Sequence, residues 1–320
     1  MARVVALATL ALLCLTQLAF SESYPARPVK VIVPYSAGSG ADISARVTMA
    51  KLSQYVSGTF IIENKPGASG ITGSEEVARA HPDGYTLLWA PTQHAINAAF
   101  IKDLPYDTLK DFIPISRLTT QPLYLGVTTK IPANSVQDLI AYGKSHPGQL
   151  NYASTSVGGS IHLAGAWFAY KAGLKMSNIV YSQTSQAMVD LAGGEVQMIF
   201  YPYQPPLPDV QSGRVKILAS TGATRSSFAP DVPLMAEAGM SDFVMPAWQG
   251  LLAPAGTPPE VVTVLENGLA KVAADPSYAE ALKATGTEVF YASSKDYDAF
   301  LRSEIARFKK IIEVSGIHPE

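Results

Sequence analysis

The stretch from residue 29 to residue 46 constrains the fold more than any other part of the chain. Its β-branched run, Val29–Val33, predicts a strand that is covered on both faces. Pro34 ends that strand because proline has no N–H group to donate to a neighbouring strand. A loop of small residues and the start of a helix follow. The segment therefore predicts a strand–loop–helix unit of the kind that builds α/β proteins.

The loop of this unit favours the binding of an anion. Gly38 and Gly40 allow a ligand to approach the backbone closely, and Ser39 or Asp42 can cap the helix that follows. The free N–H groups and positive end of such a helix suit a carboxylate or a phosphate. A tight turn without a ligand has the same pattern, so the loop alone leaves both interpretations open. It matches neither a dinucleotide fingerprint, where Ile43 replaces the third glycine, nor a Walker loop, since no Gly-Lys-Ser/Thr is present.

Residues 1–21 have the features of a cleaved secretion signal. Arg3 precedes a mostly apolar run over residues 4–15, and a small-x-small sequence ends at Ser21. The apolar run is shorter than the ~20 residues that cross a bilayer, which disfavours a membrane anchor. Cys14 is the only cysteine and would leave with the signal. We therefore expect a secreted protein without a disulfide or a thiolate site.

The composition excludes several classes of partner. The chain has 24 Lys and Arg against 26 Asp and Glu, a net charge of −2, and no long basic stripe, so we expect no nucleic acid and no membrane surface as partner. Its 5 histidines are scattered without the spacing of metal ligands, so we expect no metal and no cofactor. The roughly 300 residues that follow the signal suffice for two domains of ordinary size.

A secreted hydrolase is the main alternative from the residues alone. The chain lacks a G-x-S-x-G nucleophile elbow, and residues 67–70 have the wrong spacing for one. A serine–histidine pair formed only in space, such as Ser160 with His94, stays open at this point. The sequence favours a binding protein over an enzyme.

Alternating strand and helix patterns continue through the chain and predict a parallel sheet in each half. The clearest helix is the last, at residues 295–314, where apolar residues form one stripe behind a Ser293-x-x-Asp296 capping box. Residues 104–115 are expected to be irregular. The other predicted strands span residues 60–63, 85–89, 123–128, 150–153, 178–181, 196–200 and 215–219. The other predicted helices span residues 72–80, 136–144, 160–172, 186–192 and 258–274.

Short motifs are spread over nearly the whole mature chain. They include ENKPGA at 63–68, PDGYTL at 82–87, LPYD at 104–107, GSIHL at 159–163, DLAGG at 190–194, PDVP at 230–233, WQGL at 248–251 and APAGTP at 253–258. Together they resemble the motifs of the extracytoplasmic solute receptors of the tripartite tricarboxylate transporter family, in the TctC-like (Bug) group. The resemblance implies an α/β fold, a two-lobed, type II-like periplasmic-binding-protein clamshell with a sheet flanked by helices in each lobe.

The resemblance also implies domain bounds, a function and partners. Lobe 1 would comprise residues 22–122 and 243–320, and lobe 2 residues 123–242. The protein would be a monomer that captures a small organic carboxylate by lobe closure, without catalysis, and delivers it to the large and small membrane subunits of a tripartite transporter. A ligand-sensing partner of a signalling receptor is an alternative that the sequence does not separate from transport.

The family's pocket is formed by the first strand–helix loop and by matching loops of both lobes. Hydroxyls, amides and backbone N–H groups would hold the anion there, since these loops contain almost no Arg or Lys. Carried over to this chain, the ligand-binding residues are Tyr35, Ser36, Ala37, Gly38, Ser39, Asp42, Gln93, His94, Ser154, Thr155, Ser160, Gln183, Gln186, Tyr201 and Trp248.

Two departures from the family pattern bear on the ligand. Ser182-Gln183 stands where the family usually has Lys-Gly, and Gln197 stands where an acidic residue is common. The pocket thus loses a lysine, while Tyr201, with Tyr203 and Gln204 nearby, adds aromatic and amide surface. This pattern favours a flat carboxylate such as terephthalate over citrate, although packing between the lobes would explain these aromatic residues equally well.

Overall fold

Two β-sheets, each covered by helices, form the two lobes of the chain. They are seen in a computed structural model that describes residues 24–202, 208–283 and 285–318. The predicted signal, Tyr203 and Gln204 lie outside the described residues. Within them, no helix has the length and apolarity needed to cross a membrane.

The first part of the chain alternates strands with helices. Its elements are β1 (Val29–Val33), α1 (Gly40–Tyr55), β2 (Phe60–Asn64), α2 (Ile71–Ala78), β3 (Thr86–Pro91), α3 (Thr92–Phe100) and β4 (Phe112–Gln121), with a 3₁₀ turn over Ala68–Gly70. The middle part contains β5 (Leu123–Thr128), α4 (Val136–Ser145), β6 (Asn151–Ser154), α5 (Ser160–Ala172), β7 (Ser177–Val180), α6 (Thr184–Gly193), β8 (Met198–Pro202), α7 (Pro208–Gln211) and β9 (Val215–Ser220). The returning part contains β10 (Ala247–Pro254), α8 (Pro259–Ala274), α9 (Pro276–Lys283), β11 (Glu288–Ala292) and α10 (Ser294–Ser315).

The prediction of a parallel sheet in each half holds only for part of each sheet, because both sheets are mixed. The sheet of lobe 1 has the order β11-β4-β10-β3-β1-β2, and that of lobe 2 has the order β7-β6-β8-β5-β9. Strands β1, β2 and β3 are parallel, as are β6, β7 and β8, whereas β10 runs antiparallel to β3 and β4, and β5 runs antiparallel to β8 and β9. Strands β5 and β10 adjoin the segments that carry the chain from one lobe to the other, so neither directly continues a strand–helix–strand unit of the kind that produces parallel neighbours. Strand β11, at the edge of lobe 1, also runs antiparallel to β4.

The chain crosses between the lobes twice. Only Pro122 separates the end of β4 from the start of β5, and the return runs from the end of β9 to the start of β10. Thr221 joins the crossings, because its hydroxyl accepts the Leu123 N–H at 3.0 Å and donates to the Met245 carbonyl at 3.1 Å. The domain bounds given above stay predictions.

One apolar core runs through both lobes. Leu88 of lobe 1 and Phe200 of lobe 2 belong to the same cluster of buried residues. The predicted stripe of the last helix is confirmed, since Tyr297, Leu301 and Phe308 of α10 are buried in this cluster. Helix α10 contacts α3 of lobe 1 and α5 of lobe 2, so it supports both sides of the molecule.

The sequence missed some elements beside those it predicted. Strand β4 begins at Phe112, within the last four residues of the stretch that was expected to be irregular, and helix α3, helix α9 and strands β10 and β11 were not predicted. The predicted helix start at Ser293 is confirmed, because the Ser293 hydroxyl accepts the Asp296 N–H at 3.2 Å.

Candidate ligand-binding cleft

The strand registers bring the loops of the two lobes to face each other. The end of β3 lies beside the start of β10, with Pro91 opposite Gln249, and the end of β8 lies beside the start of β5, with Pro202 opposite Leu123. Both strand starts adjoin the crossings, so the carboxyl ends of the parallel strands in each lobe point toward the other lobe. A cleft in this position is where α/β sheets bind ligands.

The lobes approach closely at one end of this cleft. A Cβ atom added to Gly158, in the loop before α5, would lie 2.4 Å from Cε1 of Phe100, at the end of α3. Gly158 also has a φ of +69°, which favours glycine. The loop after β6 can therefore pack against lobe 1 only because glycine stands there.

The first loop is held in shape from within by Asp42. The Asp42 carboxylate is 3% exposed and accepts hydrogen bonds from the Gly38 N–H at 2.9 Å, from Asn64 at 2.9 Å and from Arg46 at 3.1 Å. Burial raises the pKa of Asp42, but these donors outweigh it and the net shift is downward. Asp42 thus organises the loop, and its carboxylate has no free face for a ligand, which corrects its expected place among the ligand contacts.

Unpaired donors remain at the tip of this loop. The predicted cap is confirmed, since the Ser39 hydroxyl accepts the Asp42 N–H at 3.3 Å. Four backbone N–H groups have no acceptor among the described residues, and most of them lie at exposed positions; they belong to Ser36, Ala37, Gly40 and Ala41. Tyr35 is half-buried, and burial raises the pKa of its phenol to about 12, so it stays a neutral donor. The loop therefore offers donors and no negative charge.

A second loop with unusual backbone geometry lies beside the first. Ala68 has a φ of +45° and Ser69 a φ of +54°, between Gly67 and Gly70, whose φ values are also positive. Left-handed backbone at residues other than glycine costs energy and is concentrated at functional sites. The Asn97 side chain of α3 fixes this loop by donating to the Ser69 carbonyl at 3.0 Å. The sequence analysis considered residues 67–70 only as a nucleophile elbow, and it did not predict this loop to be part of the site.

Two predicted site residues, Gln93 and His94, lie at the start of α3, and they differ in burial. Gln93 is half-buried and donates through Nε2 to Asn97 at 2.9 Å. His94 is 2% exposed, stacks on Tyr106 and lies 3.2 Å from the Ser74 hydroxyl. Burial lowers the pKa of His94 to about 3. His94 is a neutral core residue, which corrects its assignment to the pocket.

Gln249 is a site residue that the sequence analysis missed. Its Oε1 accepts hydrogen bonds from the Trp89 indole at 2.7 Å and from the Ser44 hydroxyl. The Nε2 group of this half-buried side chain has no partner among the described residues. Gln249 belongs to the WQGL motif, of which only Trp248 was predicted to contact the ligand. Because successive residues of a strand face opposite sides, only one of the two side chains can point toward α1.

The Trp248 side chain lies on the opposite face of β10 from Gln249 and points into the core. Its side chain is 1% exposed, packs against Tyr297 and Phe300, and donates through Nε1 to Glu304 at 3.1 Å. Its backbone N–H donates to the Thr92 hydroxyl at 2.7 Å. Trp248 is therefore a core residue, and its expected contact with a ligand is corrected.

The loop between β6 and α5 is the counterpart of the first loop in lobe 2. Ser154 is fully buried and its hydroxyl has no partner among the described residues, whereas Thr155 and Ser160 are half-buried. No side chain caps α5, and the N–H groups of its first residues, from Ser160 to His162, have no acceptor in the part of the chain that the structure describes. His162 accepts the Gly158 N–H at 3.0 Å and holds the loop, as expected for a structural histidine.

The remaining predicted residues of lobe 2 lie near the start of α6. Gln183 is exposed at the N-cap position without a capping bond, and the exposed Gln186 donates to Asp190 at 2.6 Å. Tyr181 donates to the same carboxylate at 3.0 Å. Tyr201 is half-buried and packs against an apolar cluster of lobe 2, and burial raises its pKa. Gln183 is thus the amide of this group with a free side chain among the described residues.

The electrostatics of the cleft come from the backbone. Helices α1, α3, α5 and α6 all begin at its rim, and each helix start carries a positive partial charge. The lysine and arginine nearest to these loops are already paired, Arg46 with Asp42 and Lys65 with Glu63 and Glu76. The described residues contain no group of three or more His, Cys, Asp or Glu side chains arranged to hold a metal ion. The arrangement suits an anion held by neutral donors.

A family model described as the tripartite tricarboxylate transporter family receptor, TctC, matches residues 44–317. The chain belongs to this family. The protein BugT of Bordetella pertussis is 31% identical over 298 residues, which cover 92% of this chain and 91% of the relative.

Two solved structures are similar throughout. The periplasmic binding protein BugD has a TM-score of 0.75 and 30% identity, over 93% of this chain and 100% of that one. Rpa4515 of R. palustris, solved with adipate, has a TM-score of 0.78 and 32% identity, over 93% of this chain and 100% of that one. The predicted family and two-lobed fold are confirmed, and members of this TctC family are solute-binding receptors rather than enzymes.

Proposed function

We propose that this TctC-family receptor captures a small organic carboxylate in the periplasm, between the loops that begin α1 and α5. The observation that carries the proposal is the donor set of the cleft: helix starts, hydroxyls and amides with free N–H groups, and no unpaired carboxylate on the first loop. Adipate in the related Rpa4515 structure supports the same ligand class. The ligand would then pass to the large and small membrane subunits of a tripartite transporter.

Lobe closure is the mechanism that this arrangement favours. Each lobe supplies one donor-rich loop, so a ligand that contacts both gains contacts in the closed state that the open state lacks. Binding shifts the population toward closure by the difference in affinity between the two states. An affinity near 1 μM, about −8 kcal/mol, is ordinary for such a site.

An aromatic dicarboxylate such as terephthalate is the finer proposal. Ser182 and Gln183, which follow β7, are exposed, and the family pattern has a lysine here. The half-buried Tyr201 lies on β8 of the same sheet, with β6 between the two strands. A pocket with aromatic and amide surface and without lysine accommodates a flat ring between its donors.

A thermal-shift screen of the mature protein tests the ligand class. The panel is adipate, malate, citrate, benzoate and terephthalate, and each acid is paired with its neutral amide. At 100 times the dissociation constant, a ligand adds about 2.7 kcal/mol of stability. We expect at least one acid to raise the melting temperature while its amide does not. Equal shifts by acid and amide, or shifts by neutral sugars alone, would reject the carboxylate proposal.

Sensing is the second candidate role, since a receptor of this kind can also present its ligand to a signalling protein. The presence of genes for the two membrane subunits beside the gene for this protein would favour transport. Loss of carboxylate uptake after deletion of this gene is the expected result, and unchanged uptake with an altered transcriptional response would support sensing.

A further inference from the structure

A second cavity lies between the crossing segments and the far edge of lobe 1, away from the cleft loops. It has a volume of about 290 Å³. Lobe 1 lines it with Arg117 of β4, Phe290 of β11 and Phe300 of α10, and the crossing segments add Pro122, Val244 and Pro246. The cleft described above uses the β1–β3 side of the sheet, whereas this cavity lies on the β11 side.

Arg117 is an unpaired cation in this cavity. Its side chain is 6% exposed, and its guanidinium makes no hydrogen bond or ion pair with any residue that the structure describes. Phe290 covers the guanidinium at 3.7 Å and Phe300 at 4.0 Å, measured to the ring centroids. Because aromatic rings cover the guanidinium, its in-plane N–H groups are the donors that remain for a partner.

The other charged groups around the cavity already have partners. Glu304 accepts two hydrogen bonds of 2.8 Å from Arg307 and one from Trp248, and Glu288 accepts hydrogen bonds from Ser226 and Ser227. Burial lowers the pKa of Arg117 to about 10, against a smaller opposite effect of Tyr297 and Glu304, so Arg117 is charged at neutral pH. A buried cation without a bonded counterion is costly for the fold.

We propose that this cavity binds a second small carboxylate, one with an apolar body. Its carboxylate would accept hydrogen bonds from the edge of the Arg117 guanidinium, the geometry in which arginine binds carboxylates best. Its apolar body would lie against Pro122, Val244 and Pro246. The site is separate in space from the cleft, and it offers the charged Arg117 guanidinium, whereas the cleft relies on neutral donors.

Occupancy of this site would be coupled to the position of the lobes. Its walls come from β11 and α10 of lobe 1 and from both crossings, and Glu288 on its rim is bonded to Ser226 in the segment that follows β9. An anion that fits the cavity better in one arrangement of the lobes would shift the population toward that arrangement and so change the affinity of the cleft.

Calorimetric titration with 4-bromobenzoate tests the site in a protein whose cleft is disabled by Gln249→Glu. We expect saturable binding that weakens at least tenfold in Arg117→Met and less in Arg117→Lys, which keeps the charge. Arg302→Met on α10 is the control, because Arg302 is exposed and paired with Asp298. Anomalous scattering from bromine in crystals should place the ligand beside Arg117.

Melting temperatures separate this role from a purely structural one. Without an anion, Arg117→Met should melt at the same temperature as wild type or higher, because methionine removes an unpaired buried charge. A large loss of stability together with unchanged binding in Arg117→Lys would mean that the arginine serves packing alone. Absence of binding in the Gln249→Glu protein, or equal binding by Arg117→Met and wild type, overturns the proposal without touching that of the cleft.

Discussion

The indole N–H of Trp89 donates to Oε1 of Gln249 at 2.7 Å. An indole nitrogen can only donate, so this bond fixes which end of the Gln249 amide is the oxygen. The NH₂ end is then turned away from Trp89, and it is the amide donor best fixed in position beside the start of α1. Trp89 and Gln249 together thus determine the polarity of one wall of the cleft.

Gln249→Glu reverses that polarity with almost no change in shape. The glutamate keeps an oxygen for Trp89, but it loses both N–H groups and places a negative charge near the ligand. We expect carboxylate affinity to fall at least tenfold in titration calorimetry. Gln54→Glu, on the exposed end of α1, adds the same charge away from the cleft and should bind like wild type. Equal affinities of the two variants would contradict the placement of Gln249.

Gly38 and Gly40 offer a matched pair for the backbone of the first loop. A Cβ atom at either position meets nothing within 4 Å, but only Gly38 has a positive φ, of +79°. Gly38→Ala should therefore lower the free energy of unfolding by about 1–2 kcal/mol. Gly40→Ala, at the first turn of α1, should be neutral or slightly stabilising. Chemical denaturation measures both, and similar losses in the two variants would show that strain at Gly38 is not the cause.

Asp42 should make the stability of the fold depend on pH in the acidic range. Its pKa is lowered in the folded protein, so its ionised form stabilises the fold above the ordinary pKa of aspartate, and this contribution is lost as the pH falls through the folded value. Asp42→Asn should be less stable than wild type at pH 7, and the difference should shrink at low pH. Urea unfolding at several pH values measures it. A constant difference at all pH values would mean that the loss comes from shape and not from charge.

His94 should make the stability of the fold depend on pH over a higher range than Asp42 does. Its pKa is about 3 in the folded protein against an ordinary value near 6.5, so the unfolded chain binds the proton first as the pH falls. The resulting loss of stability begins near pH 6.5 and continues toward pH 3, with a slope of up to about 1.4 kcal/mol per pH unit. His94→Phe should flatten the stability profile in this interval. An unchanged slope in the variant would show that His94 is protonated in the fold.

The sequence predicted what depends on local pattern. The β-branched run of β1, the Ser39 cap of α1 and the apolar stripe of α10 each follow from spacing within one element, and all are confirmed. The orientation of β5 and β10 was missed because it depends on how the chain crosses between the lobes, which no pattern within a single element shows.

The site was predicted only in part for a related reason. Family position indicated the right loops, but it did not say which face of a strand or helix each side chain takes. His94 and Trp248 therefore fell among the expected contacts although both point into the core, and Gln249 was left out. Asp42 was recognised as a possible cap, and its full set of donors, which includes Asn64 from the next strand, became visible only in three dimensions.

The central claim is that a carboxylate closes the cleft, and a distance across the cleft tests it most directly. Ile43 on α1 and Val189 on α6 are exposed, one in each lobe, and Cys14, the only cysteine, lies in the predicted signal. Spin labels on Ile43→Cys and Val189→Cys report the separation of the lobes by pulsed electron resonance. The account predicts that the carboxylate with the largest thermal shift shortens this distance and that its neutral amide leaves it unchanged. An unchanged distance with the carboxylate bound would contradict it.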